Sequence, residues 1–172
     1  MINRRHIRLK VMQYLYSFQY IENEDTKVHK KYFIDCFSSV NSLFIAYVSL
    51  IIELQKKSLK QLNISKRSIS GIQNMRYLSK NFSQNLLIKN WKNNPILSEQ
   101  LANKNKVNWD VNFKLVDTLY NEIIASEIYD EYIFTENSSF EIDKKFVSSI
   151  FSEIIIQNDK LYDFIQDTNI FW

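Results

Sequence analysis

The chain has one glycine and one proline in 172 residues. Average usage would supply about twelve glycines and about nine prolines. Hairpin turns, barrel corners and Gly-rich phosphate loops need backbone conformations that glycine and proline provide. Their scarcity excludes a β-rich fold and a dinucleotide fingerprint, and it points to an all-α protein. Cysteine is as scarce. Cys36 stands alone, so no internal disulfide and no Cys-based zinc site can form. The two histidines, His6 and His29, are too few for a His-rich metal site. No cofactor is expected. The uncharged stretch from Cys36 to Ile52 falls short of the ~20 residues of a spanning helix and contains five Ser and Asn residues. The N-terminus, broken throughout by Arg and Lys, does not read as a signal peptide. The expectation is one soluble, cytoplasmic all-helical domain over residues 1–172, without a membrane partner.

What the chain does contain is charge, unevenly spread. Residues 1–108 hold 18 Lys and Arg against 6 Asp and Glu, whereas residues 109–172 hold 4 against 13. A basic first part and an acidic second part suggest a polyanion partner for the first. From Gln55 to Asn108 there are eleven basic residues and one acid, Glu99. There the lysines sit among many asparagines, and simple self-solvation accounts for them equally well. Arginine is more telling. Three of the five arginines, Arg4, Arg5 and Arg8, fall in the first eight residues. Cations at a helix start oppose its dipole by some tenths of a kcal/mol each, so helix stability does not explain them.

Periodicity predicts the elements. A first helix runs from Asn3 as cap to about Ile21, with Ile7, Val11, Leu15 and Phe18 on one face. That face is expected to pack on the Leu43–Leu54 stretch of a long second helix, Lys27 to Leu62. A loop at Asn63–Gly71 and a basic helix from Met75 to Lys92 follow. Asp110 is expected to cap a helix to about Phe134. Ser138 and Glu141 form a capping box for a helix whose stripe is Val147, Ile150, Phe151 and Ile154. Asn158-Asp159 starts a last short helix. Trp91 and Trp109 read as packing groups rather than base-stacking platforms. Cys36 reads as buried and inert. By periodicity alone Tyr16 reads as core. No catalytic motif occurs, the acids are not paired near a histidine, and Glu53 reads as an ordinary helix-face carboxylate; the expectation is a protein that is not an enzyme.

The segment RRHIRLKVMQYLYSFQ carries a more specific pattern: Arg4, Arg5 and Arg8, then Gln13, Leu15, Tyr16, Ser17, Phe18 and Gln19. It resembles the N-terminal helix of the NusB transcription antitermination family, with Phe18 where Trp is common. Later runs such as NSLFIAYVSLIIELQK and FEIDKKFVSSIFSEII resemble a long variant of that family. The resemblance implies a helical bundle and a role in ribosomal RNA transcription. It implies pairing with NusE, which is also a small-subunit ribosomal protein, binding of boxA-like single-stranded RNA, and work on the transcription elongation complex. Arg4, Arg5 and Arg8 would contact RNA, His6 and Lys10 would extend the patch, and Tyr16 would lie toward NusE. The family carries a second helical half, and this sequence stops at Trp172, about where that half would begin. The expectation is a fragment or a shortened natural product. The alternative reading is a helical protein-interaction module, a reduced NusB without RNA binding of its own.

Overall fold

A computed structural model describes residues 4–18, 26–67, 81–102, 107–135 and 139–169. Among the described residues there is no strand, and the protein is all-α. The elements are α1 (Arg4–Phe18), α2 (Thr26–Arg67), α3 (Asn81–Gln84), α4 (Leu86–Asn93), α5 (Pro95–Ala102), α6 (Phe113–Ala125), α7 (Glu127–Ile133) and α8 (Phe140–Ile150). A π-helical turn, Phe151–Ile155, follows α8 directly, and α9 (Asp159–Thr168) comes last. The chain clusters into two compact units, one built around α1 and the start of α2 up to Phe44, the other spanning Ile45–Thr168. The charge boundary near residue 108 does not coincide with this division.

α2 has 42 residues, about 63 Å of helix at 1.5 Å per residue. It runs past the expected end at Leu62, through the start of the expected loop, to Arg67. Its apolar run tolerates serines because Ser38, Ser39, Ser42 and Ser49 each donate to the carbonyl three residues back, at 2.7–2.9 Å. Between Ile45 and Leu54 it supplies core residues: Ile45, Val48, Leu50, Ile51, Ile52 and Leu54 are all buried, whereas Leu59 and Ile64 further along are exposed. By length and composition alone, Phe33–Ile64 would suffice to cross a membrane. Burial accounts for its apolar residues Ile45, Val48, Leu50, Ile51, Ile52 and Leu54.

Two expected helices are each interrupted by a single capping residue. Of the basic helix expected from Met75 to Lys92, residues 75–80 lie outside the described residues, and Asn85 interrupts the rest. Its Oδ1 accepts from the Ile88 N–H at 3.2 Å and so starts α4. Ser126 divides the stretch expected to run unbroken to Phe134. Its hydroxyl donates to Ile123 O at 2.7 Å and accepts from the Tyr129 N–H at 3.2 Å, ending α6 and beginning α7. α6 starts after Asn112 rather than at Asp110, because Asn108 Oδ1 takes the Asp110 N–H in a preceding turn. Pro95 occupies the first turn of α5, where its missing N–H costs nothing, and Asn94 Oδ1 accepts from the Leu97 N–H at 3.1 Å. The cap of α8 is Ser139, one residue later than expected, with Glu141 and Asp143 in the first turn. Asn158 caps α9 as expected, at 2.9 Å to the Leu161 N–H.

The Ile45–Thr168 unit packs α8 against α4 and α7, and the π turn against α6. Phe146 stands at its centre. Tyr132 stacks on it at 3.9 Å and 5°, and Phe82 meets it edge-on at 5.3 Å. Trp109 is buried as expected, donating its indole N–H to Ser49 Oγ at 2.8 Å.

Candidate nucleic-acid interface

α1 contains no acid. Arg4, Arg5 and Arg8 are exposed. At about 100° per residue, Arg4 and Arg5 lie within about 60° of Arg8 around the axis, so the three guanidinium groups share one side. Lys10 does not join them. It points about 160° away from Arg8, is half-buried, and its ammonium acts on the Cys36 thiol of α2. Burial pushes that thiol up from its ordinary range, and Lys10 opposes the shift. His6 belongs to α1, but its side chain lies outside the described residues.

The covered face of α1 differs from the expected one. Lys10, Val11 and Tyr14 are half-buried, and the Tyr14 ring meets Phe33 of α2 at 5.0 Å. Leu15 is 53 % exposed, so the expected Ile7/Val11/Leu15/Phe18 packing face is not formed at Leu15. Periodicity located an apolar stripe, but the helix is turned by about one residue from it, placing Tyr14 inward and Leu15 outward. Phe18 is helical, with its side chain outside the described residues. Tyr16, a core residue by periodicity, is 63 % exposed. It stands beside Met12, also exposed, one turn away. The outward side of α1 thus carries Arg5, Arg8, Leu9, Met12, Leu15 and Tyr16 together.

A second polar constellation was not read from the sequence. Asp143 is fully buried. Its Oδ2 accepts the Leu86 N–H, the first of α4, at 2.6 Å, and its Oδ1 accepts the Tyr132 hydroxyl at 2.6 Å. Asn85, also fully buried, donates to Tyr132 Oη and to Asp143 O, both at 3.2 Å. Burial first, and then the bond to Asp143, push the Tyr132 phenol far above its ordinary range, so it stays protonated as a donor. Every group here has a partner, and the network locks α3, α4, α7 and α8 together. Its signal was an acid standing on the apolar stripe Asp143, Phe146, Val147, Ile150. Among the described residues no group of three His, Cys, Asp or Glu side chains is placed to hold a metal. Glu53 is partly exposed and pairs with Lys56 at 2.5 Å, the ordinary role expected of it.

No family model, no curated protein and no solved structure matches the chain.

Proposed function

We propose that this protein is a non-enzymatic, cytoplasmic RNA-binding factor of the NusB kind. On this reading it pairs with NusE, binds boxA-like single-stranded RNA of ribosomal RNA transcripts and acts on the transcription elongation complex. The observation that carries the reading is the arginine cluster. Three guanidinium groups stand exposed on one side of a helix without acids, at its N-terminal end, where they weaken that helix. Phosphates of a single strand offer the forked acceptors that arginine fits, and exposed bases can stack on guanidinium planes. Arg4, Arg5 and Arg8 hold the backbone, and Tyr16 serves the protein partner.

The test is a titration of boxA-like RNA at several salt concentrations, with and without NusE. Three neutralised phosphates on a single strand give a log–log slope of roughly −2. Arg8→Ala should weaken binding by about 1–3 kcal/mol and make the slope shallower by about 0.7. Arg8→Lys keeps the charge but loses the planar fork, so it should keep the slope and lose affinity. Lys160→Ala, an exposed lysine of the acidic part, is the control. Equal and mild effects of Arg8→Ala and Lys160→Ala would falsify the arginine site.

The second reading, a protein-interaction module without RNA binding, is favoured by the apolar groups beside the arginines. Leu9, Met12, Leu15 and Tyr16 are each more than half exposed, and RNA backbone contacts do not need aliphatic side chains. Retained NusE binding with no RNA binding would select it.

A further inference from the structure

α7 and α8 leave a groove of about 580 Å³ between them. One wall is a face of α7 and the residues after it, from Glu127 to Thr135; the other is a face of α8 and the π turn, from Ile142 to Glu153. The two walls run in opposite directions. Tyr132, near the end of α7, bonds to Asp143 at the start of α8, and Glu153 shares a second cleft with Glu122 and Ser126, just ahead of α7. The groove therefore has unlike ends. Glu127 and Glu153 stand at one, Glu131 follows Glu127 by one turn, and Ile142 lies at the other. The chain at that second end also carries Phe134 and Phe140, both exposed.

Three carboxylates face a single lining cation, Lys145, and among the described residues none of the four is in an ion pair. Glu127 is in the first turn of α7, where the helix dipole favours it. Glu131 is in the last turn of α7, and Glu153 is near the end of the continuous α8 and π-turn helix. A carboxylate at either place opposes the dipole, so local stability does not explain these two. α1 carries the complementary pattern. Arg4, Arg8, Met12 and Leu15 are all exposed and follow one another at i, i+4, i+8 and i+11, within about 80° of arc. The row is cationic at its start and apolar at its end. Arg4 and Arg8 have the spacing of Glu127 and Glu131, and Arg4 to Met12 spans about 12 Å, as does Glu127 to Thr135. An amphipathic helix laid in a groove between two helices is a recurrent docking mode.

We infer that α1 of a second copy of this chain docks in the α7–α8 groove, with Arg4 on Glu127 and Glu153, Arg8 on Glu131, and Met12 and Leu15 toward Ile142. The opposite charges of residues 1–108 and 109–172 bring two copies together in this sense. Each copy offers one helix and one groove, so the contact is head-to-tail. One helix in one groove is a small interface, and the association is weak and salt-sensitive. A docked copy and an RNA phosphate compete for the same two guanidinium groups. The docking is measured without RNA, so its failure leaves the RNA-binding reading intact, and a failure of that reading leaves the docking intact.

The test is sedimentation equilibrium of the full chain over a range of concentrations and salt. The average mass should rise with concentration at low salt and fall back toward the monomer at high salt. A helix variant, Arg4→Gln with Arg8→Gln, and a groove variant, Glu127→Gln with Glu131→Gln, should each self-associate about tenfold more weakly. All four side chains are exposed, so both variants keep the fold. Mixed in equal amounts, the two should form a one-to-one complex with the wild-type affinity, because one retains the groove and the other the helix. Lys145→Gln, which removes the groove's own cation, should strengthen association. A monomer at every concentration would overturn the docking, and so would self-association that the groove variant leaves unchanged or a mixture that forms no complex. Binding of a synthetic basic amphipathic peptide by a wild-type chain that stays monomeric, lost in the groove variant, would overturn it by assigning the groove to a different, basic protein.

Discussion

The arginines of α1 and the carboxylate of Asp143 all sit at helix N-termini, and the chain treats them in opposite ways. Arg4, Arg5 and Arg8 are cations at the positive end of a helix, exposed to solvent. Asp143 is an anion at the positive end of two helices, its own α8 and α4, and is sealed from solvent. The second arrangement lowers the energy of the fold and the first raises it. A charge whose placement stabilises the structure needs no external explanation. A cluster of charges whose placement destabilises its own helix does. The contrast separates groups that build the molecule from groups that we propose face a partner.

The strongest way to break that contrast is Asp143→Ala. It leaves the buried Tyr132 hydroxyl and the part-buried Leu86 N–H without their acceptor, the first costing about 1–3 kcal/mol and the second less, so unfolding free energy should fall by about 2–4 kcal/mol. Urea denaturation measures it, and a loss below 1 kcal/mol would show that the network is not holding the helices. Tyr132→Phe keeps the ring on Phe146 but removes one bond to Asp143, and should cost about 1–3 kcal/mol. It also sharpens the comparison through pH. The folded state holds the phenol protonated, its pKa raised above the unfolded value. That contribution is complete below the unfolded pKa near 10 and is lost as pH rises beyond it. The gap between wild type and Tyr132→Phe should therefore narrow in alkaline denaturation series; a constant gap through pH 11 would contradict the assignment.

Smaller effects follow. Ser126→Ala removes the cap of α7 and should cost about 0.5–2 kcal/mol. Leu15→Ala should change stability by less than about 0.5 kcal/mol, because more than half of the side chain already meets water. A cost of 2 kcal/mol or more there would mean that this residue is buried in solution.

How much of this was legible depends on whether the information was local. The exposure of the arginines could be read because a polar run at a helix start leaves little choice. The burial of Ile45, Val48, Leu50, Ile51, Ile52 and Leu54 could be read because that stretch is apolar on all but the Ser49–Glu53 face. Asn85 and Ser126 stop helices whose apolar rhythm continues unbroken on both sides, so rhythm alone runs through them. Leu15 was misplaced for a related reason: an apolar stripe says that a face exists, and only the neighbouring helix decides which edge of it is covered. Asp143 lay on a stripe that was read correctly from Val147 to Ile150. It was passed over because its acceptors' partners, Leu86 and Tyr132, come from 57 residues and 11 residues away. The residues proposed to face RNA lie within one turn of each other on a single helix, which is why a resemblance confined to that helix could name them.

The π turn after α8 bears on how the chain tolerates changes in length. The buried face runs Asp143, Phe146, Val147, Ile150, and a regular helix would continue it at Ile154. Ile155 is buried instead, and Ile154 is displaced toward the edge. One residue more than an α-helix needs has been accommodated between Ile150 and Ile155. Deleting the exposed Ser152 should therefore close the turn into ordinary α-helix with Ile155 still inward and α9 starting in the same direction. The same deletion in the middle of α8 would rotate every following side chain by about 100° and expose the core. The segment 151–155 is thus a place where the gene can lose a codon without the fold losing its register.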